Sequence, residues 1–372
     1  MLDQGGHVTC CDDSAGSGTA ELIARRRLLK AAVFAPREVP GQISAADGAG
    51  APPGSATQPR VLTGTVVDAS PHVLTLRRAD SEERLALMPG TKAWKGGPVD
   101  PTALGAGDRV VARLHPSRRG VASRLWVNIG RVTGVILERD REGIVVDAGK
   151  NRGRPVIVIP RRAEGRIQVR FPRLEPGYII DVIGLRRGAV MEGLIPATSQ
   201  PAYRADQVPR RSPTGRSPTG RSPIGGRALG RSPMRGRALG RSPMGGRALG
   251  RFGGSATWHE PVGQPDDAEG IAYPMLDPDV GCAEEPSPGP GCVRMPYLSI
   301  GSLVEVRNEC TGDSRVLPVT GGGAATRLLC DRCVTCGTSP RGRVADLALA
   351  SFVALGGELE RGCFNATIAM DQ

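Results

Sequence analysis

Alternation of apolar and polar residues over short stretches is the dominant pattern in the first half of the chain. It runs through VLTGTVVDA, HVLTLRR, ERLALMP and GAGDRVVARL, all within residues 60–128. An alternation of this length puts every second side chain on one face, which is typical of half-buried β-strands, and the Gly and Asp residues between the stretches indicate turns. We therefore predict a small all-β unit in this region.

The same pattern recurs further along the chain. GRVTGVILERDREGIVVDAG matches PRVLTGTVVDASPHVLTLRR, and LEPGYIIDVIGLRRG matches LGAGDRVVARLHPSRRG. A repeat of this kind indicates two tandem copies of one fold. We predict two small β-barrels, at 60–129 and 130–197, whose strand pattern resembles the oligonucleotide/oligosaccharide-binding (OB) barrel.

Residues 198–254 have the composition of a linker. They contain RSPTG twice, followed by RSPIGGRALG, RSPMRGRALG and RSPMGGRALG. Each unit has Pro and Gly but few apolar residues, so burial cannot offset the entropy of ordering, and we predict a disordered Arg/Gly/Ser/Pro linker. Residues 210–251 carry eleven Arg and no acid, so the net charge of +12 leaves 12 − 11 = +1 elsewhere. We expect this cationic linker to attract polyanions.

The N-terminal segment 1–59 combines a second linker with a candidate export signal. ARRRLLKAAVFA, at 24–35, resembles a twin-arginine signal, although its apolar core is short. The alternative is a basic N-terminal helix with no role in export. The chain has no apolar run long enough for a transmembrane helix. We predict an exported protein that is extracellular or associated with the cell wall.

A different pattern begins at Ser255 and extends to the end of the chain. SLVEVRN (302–308), SRVLPVT (314–320) and CFNATIAM (363–370) alternate as strands do. Between them DLALASFVALGG (346–357) has small and apolar residues at helical spacing and ends on two glycines, a normal helix stop. These elements predict a compact β domain with one helix over 255–372.

Four stretches of this domain together resemble a known family. SATW (255–258), LSIGSLVEVRN (298–308), GRVADLALASFVALGG (342–357) and the final strand are similar to the double-psi β-barrel of rare lipoprotein A and expansin-like proteins. The resemblance covers only the last third of the chain. It implies binding of peptidoglycan or a related polysaccharide or, in the catalytic members, cleavage of peptidoglycan by lytic transglycosylases.

The residues needed for cleavage can be compared position by position. Breaking a glycosidic bond requires a carboxyl or His that donates a proton to the leaving oxygen. The resemblance puts the family's catalytic Asp on Gly321 and its His on Met295, and neither residue can donate a proton. Asp346 does match the family's aspartate in G-R-x-x-D-L, and it is either a glycan contact or a cap of the following helix.

We therefore expect polysaccharide binding rather than catalysis, with Asp346 as the best candidate if there is a catalytic residue. The glycines of VTGGGAA, around Gly321, lack the Lys and Ser/Thr spacing of a phosphate-binding loop. The alternative is a lytic transglycosylase that uses a carboxylate from residues 275–292, the unaligned segment, where the sequence cannot be matched to the family. The candidate carboxylates are Asp277, Asp279, Glu284 and Glu285.

Aromatic side chains are the other candidate glycan contacts, because the C–H faces of sugars stack on rings. Trp258 and His259 occupy the family's W-Y position, and Tyr297 precedes the Leu298 strand. For each of the three, packing in the core is the alternative interpretation. His259 could also be considered as a replacement acid.

Nucleic-acid binding through the OB-like barrels and the Arg-rich linker is a second alternative, which we do not expect. Barrels that grip single strands use exposed aromatic platforms beside a basic groove. Nearly all the aromatics of these two barrels are isolated ones that we expect in their cores, namely Trp94, Trp126, Phe171 and Tyr178.

Seven of the nine cysteines fall in the C-terminal domain, as expected for an exported domain held together by disulfides. We predict three disulfides and one further thiol. Zinc bound at C-x-x-C-x-x-C is the alternative, and we predict neither a metal nor a cofactor. The seven residues are Cys282, Cys292, Cys310, Cys330, Cys333, Cys336 and Cys363.

Overall fold

The computed structural model of the protein describes residues 61–79, 81–149, 152–201, 203–207, 250–260, 268–276, 295–322 and 342–370. Within these ranges the protein is mainly β and forms three closed barrels. The predicted export signal, the RSP repeats and five of the seven C-terminal cysteines lie outside the described residues. Neither of the two described α-helices has the length and apolarity needed to cross a bilayer.

The first barrel contains six strands: β1 (Val61–Ala69), β2 (Val73–Arg77), β3 (Glu82–Trp94), β4 (Pro98–Val99), β5 (Arg109–Leu114) and β6 (Val121–Val127). β1 pairs with β2 and β5, and β2 pairs with β3. β3 runs parallel to β6, which closes the ring by pairing with β5, while β4 lies outside the ring. This five-stranded ring has the strand order of an OB barrel.

The second barrel consists of β7 (Ile129–Arg139), β8 (Ile144–Asp147), β9 (Val156–Val158), α1 (Arg161–Arg170), β10 (Ile179–Arg187) and β11 (Val190–Pro196). Its ring runs β7-β8-β9-β11-β10, with β9 and β11 parallel. This is the strand order of the first barrel with one helix added between β9 and β10. The prediction of two tandem OB-like barrels is confirmed.

The third barrel consists of β12 (Gly250–His259), β13 (Ile271–Ala272), β14 (Leu303–Asn308), β15 (Ser314–Gly321), β16 (Arg343–Ala348), α2 (Leu349–Ala354) and β17 (Cys363–Met370). Its six strands close in the order β12-β16-β13-β15-β14-β17. Two of the pairs, β12–β16 and β13–β15, are parallel. A closed six-stranded barrel with parallel pairs fits the double-psi architecture that the sequence predicts.

Two boundaries in the third barrel differ from the prediction. β12 begins at Gly250, inside the predicted linker, because residues 250–257 pair with β17. The helix predicted over 346–357 begins only at Leu349, because residues 343–348 pair with β12 and form β16. Asp346 therefore lies within a strand, and the interpretation of Asp346 as a helix cap is wrong. The residue at the helix N-cap is Ala348, which has no side chain that could cap.

The three barrels pack against one another. One continuous cluster of buried apolar residues extends from the core of the second barrel into the third and includes Trp94 and Trp126 of the first. A separate cluster fills the first barrel. Phe171 and Tyr178 are also buried, so all four aromatics that were expected in the cores of the OB-like barrels are enclosed. Trp94 and Trp126, however, belong to the cluster shared between the barrels and not to the one that fills the first barrel.

Candidate functional site

A row of four paired residues crosses four neighbouring strands of the third barrel. Thr257 pairs with Asp346, Asp346 pairs with Ala272, and Ala272 pairs with Gly321. Residues that are directly opposite on neighbouring strands point to the same face. The Cα atoms of Asp346 and Gly321 lie two strand spacings apart, about 10 Å, and a register shift between Ile271 and Ala272 interrupts the row between them. The fold brings together the two positions that the resemblance singled out.

The Asp346 carboxylate is buried and hydrogen-bonded. Thr257 Oγ1 donates to Asp346 Oδ1 at 2.7 Å, and the Asp346 side chain is almost fully enclosed. Burial alone would raise the pKa of Asp346, but attraction to the guanidinium groups of Arg343, Arg152 and Arg131 outweighs burial and lowers the pKa. Asp346 is thus a carboxylate at neutral pH and has no proton to donate to a leaving group.

His259 lies on the same face as Thr257, because it is two residues further along β12. It is buried, and its Nδ1 donates a hydrogen bond to the carbonyl oxygen of Glu260 at 3.1 Å. Nε2 has no hydrogen-bond partner in the part of the chain that the structure describes. Burial lowers the pKa of His259, so the ring is neutral at physiological pH. A neutral, enclosed His does not serve as the replacement acid.

The second barrel reaches this polar cluster. Arg131 Nη1 donates to the carbonyl oxygens of Trp258 at 3.0 Å and Gly362 at 2.7 Å, both in the third barrel. Arg131 and Arg152 of the second barrel also act electrostatically on both Asp346 and His259. The candidate site is therefore in contact with the second barrel and is not an open cleft.

Asp181, in the second barrel, lies at the centre of the contact between the barrels. It is fully buried and accepts hydrogen bonds from Arg131 Nε at 2.8 Å and Nη2 at 2.7 Å, and from Arg343 Nη2 at 2.8 Å. Thr133 and Thr198 donate two more, at 2.8 and 2.9 Å. Burial opposes the charged form of Asp181, but the two guanidinium groups hold its pKa far below the ordinary value.

Glu260, at the end of β12, provides a second contact with the OB-like barrels. Its carboxylate accepts a hydrogen bond from the backbone N–H of Arg131 at 3.1 Å and from Arg186 Nε at 2.6 Å. A Cβ at Gly130 would lie 3.0 Å from Glu260 Oε1 and 2.8 Å from Arg186, so glycine leaves room for this ion pair.

A short turn of the third barrel contacts the first barrel in a similar way. Glu358 accepts a hydrogen bond from Arg113 at 3.0 Å. Glu360 forms an ion pair with Arg124 and accepts a hydrogen bond from Trp126 Nε1 at 2.5 Å. The guanidinium carbons of Arg113 and Arg124 are 5.6 and 5.8 Å from the centre of the Trp126 ring. Acidic groups of the third barrel thus meet arginines of the first.

The charge of each barrel agrees with these contacts. Counting Lys and Arg against Asp and Glu, residues 60–129 carry 11 − 6 = +5, residues 130–197 carry 13 − 8 = +5, and residues 255–372 carry 8 − 16 = −8. The small net charge outside the linker is therefore the sum of large opposite charges. An acidic barrel docks on two basic ones, which electrostatic complementarity favours.

The predicted aromatic contacts separate into two classes. Trp258 is fully buried and its Nε1 donates to the carbonyl oxygen of Leu359 at 2.9 Å, so the expectation that its ring stacks on a sugar is wrong. His259 is enclosed as well. Tyr297 has half of its surface exposed and is the predicted aromatic contact that a glycan can reach.

The two positions that the resemblance matches to a catalytic His and Asp are occupied by Met295 and Gly321. Met295 is buried, and a Cβ built on Gly321 meets no atom of the described residues within 4 Å. The alternative carboxylates at 277, 279, 284 and 285 lie outside the described residues. Among the residues that are described, no cluster of His, Cys, Asp and Glu could hold a metal ion.

Two of the predicted disulfide cysteines are described. Cys310 takes part in a disulfide, and Cys363 is a buried thiol at the start of β17. Cys282, Cys292, Cys330, Cys333 and Cys336 lie outside the described residues, so the pairing of the cysteines stays a prediction.

Sequence analysis missed the ion cluster of Arg131, Asp181 and Arg343. A signal was present in YIIDVIG, where Asp181 interrupts an apolar run of β10. A single acid inside a buried strand indicates a specific cationic partner, because an unpaired buried charge is very costly. The partners themselves are distant in sequence and carry no such signal.

Comparison with known proteins adds no relative. No family model matches the chain, and no curated protein matches it.

Proposed function

We propose that this protein is exported and binds peptidoglycan or a related wall polysaccharide through its third barrel, without cleaving it. The observation that carries the proposal is the state of Asp346. It is a buried carboxylate, held by Thr257 and in electrostatic contact with arginines of the second barrel, and Gly321, two strands away, has no side chain. The described residues around Asp346 offer no accessible proton donor, which supports binding rather than cleavage.

An exposed part of the third barrel is available for a sugar chain. Leu303 and Val316 are 63% and 61% exposed. They lie diagonally across the β14–β15 pair, since Leu303 pairs with Pro318 and Val316 pairs with Glu305. Exposed apolar side chains can pack against the C–H faces of sugars, and Tyr297 supplies an aromatic ring in the same barrel.

Co-sedimentation of the full-length protein with insoluble peptidoglycan tests the proposal. We expect binding that persists at high salt, where the charge of the Arg-rich linker is screened. Tyr297→Ala should weaken binding about fivefold, the equivalent of about 1 kcal/mol for one ring contact, whereas Tyr297→Phe, the matched control, should bind normally. Protein that stays in the supernatant even at low salt would contradict the proposal.

The same incubation separates binding from the transglycosylase alternative. Release of anhydro-muropeptides by the wild-type protein would show that a carboxylate from the unaligned segment acts as the acid. We expect none. The nucleic-acid alternative receives no support from the four barrel aromatics, because all four are buried and offer no platform for bases.

A further inference from the structure

The single helix of the second barrel carries an arginine-rich exposed face. α1 has the sequence RRAEGRIQVR, and only Ala163 and Ile167 are buried. Arg162, Arg166 and Arg170 follow one another at a spacing of four residues, so they form a stripe along one side of the helix with about 6 Å between successive positions. Within the described residues neither Arg161 nor Arg166 has an acidic partner.

Several features of α1 lower its intrinsic helical stability. Like charges four residues apart repel each other and destabilise a helix. Gly165 in the helix interior costs about 1 kcal/mol relative to Ala, and Pro160 at the N-cap makes no side-chain hydrogen bond. Binding of a polyanion would offset the repulsion between the arginines. Packing does not explain the stripe, because the buried residues of the helix are Ala163 and Ile167.

The surroundings of the stripe extend its positive charge. Arg162 and Arg187 of β10 both form ion pairs with Glu192, so one carboxylate holds two guanidinium groups side by side. A Cβ on Gly165 would meet no atom within 4 Å, so the centre of the exposed face is open to a close approach. The five arginines of this face, at 161, 162, 166, 170 and 187, outnumber its two acids, Glu164 and Glu192.

We infer that this arginine face of α1 binds a linear phosphodiester polymer along the helix, through its phosphates alone. Guanidinium groups match phosphate oxygens in a planar, two-bond geometry, and a regular row of them fits a regularly spaced row of phosphates. Readout of bases is not part of the inference, because Trp94, Trp126, Phe171 and Tyr178 of the OB-like barrels are buried and cannot stack on bases. The inference is independent of polysaccharide binding by the third barrel.

The probe is a labelled abasic oligodeoxynucleotide, which presents a phosphodiester chain without bases, compared with an oligothymidylate of the same length. Binding to the full-length protein is measured as a function of salt. We expect Arg166→Gln/Arg170→Gln to weaken binding at least tenfold at low salt. It should also reduce the slope of log K against log salt by about 1.4, two phosphates at about 0.7 each. The matched control, Arg118→Gln/Arg119→Gln in the β5–β6 loop, removes the same charge from another exposed site and should leave both values unchanged.

Hydrogen–deuterium exchange of the wild-type protein locates the contact independently of any variant. This separation matters because the Arg-rich linker also attracts polyanions. We expect amides of residues 161–170 to exchange more slowly in the presence of the abasic oligomer. Unchanged exchange in α1 at saturation, or an unchanged salt slope in the double variant, would overturn the inference. A more than tenfold preference for oligothymidylate would overturn its phosphate-only character.

Discussion

Substitution of Asp181 by Asn would leave the guanidinium groups of Arg131 and Arg343 buried with no anion between them. In the wild-type protein the two Asp181 oxygens accept five hydrogen bonds, and all three charged side chains are buried. Asparagine has nearly the same shape, so the change tests charge and not volume. The barrel-to-barrel contact should lose stability without a change in packing.

The expected loss follows from the burial of the cluster. Removal of one partner from a buried ion pair costs about 3–5 kcal/mol, because the remaining charge is uncompensated. For a domain of 150–250 residues, about 4 kcal/mol corresponds to a decrease in Tm of roughly 10 °C. The pKa of Asp181 is lowered by folding, so its contribution is complete above the unfolded pKa, about 4, and is lost as the pH falls further.

Thermal and urea unfolding of the two proteins at pH 7 measure this loss. Asp206→Asn is the matched control, because Asp206 is an exposed acid whose ion pair with Arg204 is 3.4 Å long. Exposed pairs contribute about 1 kcal/mol or less, so the control should unfold close to the wild type. If Asp181→Asn also unfolds within about 1 kcal/mol of the wild type, the buried cluster does not hold the barrels together in the way described.

Three further substitutions test the candidate site. The wild type should lose stability below about pH 6.5, because His259 binds a proton in the unfolded chain while burial disfavours protonation in the folded protein. His259→Gln should remove this loss, which is measured by urea midpoints at pH 7 and pH 5. Gly321→Asp should fold normally, since a Cβ there meets no atom within 4 Å, and should still release no anhydro-muropeptides because Asp346 stays buried; released product would refute this. Glu260→Gln should cost about 2 kcal/mol and speed amide exchange at the end of β12, whereas Glu305→Gln, at an exposed position, should change neither.

The OB-like barrels could be predicted from the sequence because their signal is local. Alternation with a period of two identifies β1, β2, β5 and their repeats without knowledge of any partner. β16 escaped detection for the opposite reason. Both of its faces are buried, so apolar and polar residues do not alternate along it. The alanines and leucines from Ala345 to Ala350 are equally compatible with a helix.

The chemistry of the candidate site was only partly predictable. The resemblance identified Asp346 and Gly321, and the strand pairing places them two strands apart in the same barrel. Their environment could not be read from the sequence, because Arg131 and Arg152 act on Asp346 from positions about two hundred residues earlier in the chain. Such long-range contacts decide whether the carboxylate is accessible, and local patterns do not record them.

Arg131 links three distant parts of the polypeptide, since it binds Asp181 as well as the backbone at Trp258 and Gly362. Genetic exchange of whole domains normally works best when few contacts cross the boundary. Transplanting the last barrel into another protein would leave Arg343 without the Asp181 carboxylate and would remove the Arg131 guanidinium from beside the Trp258 ring. The three barrels are therefore constrained to be inherited together, even though their strand patterns look like separable modules.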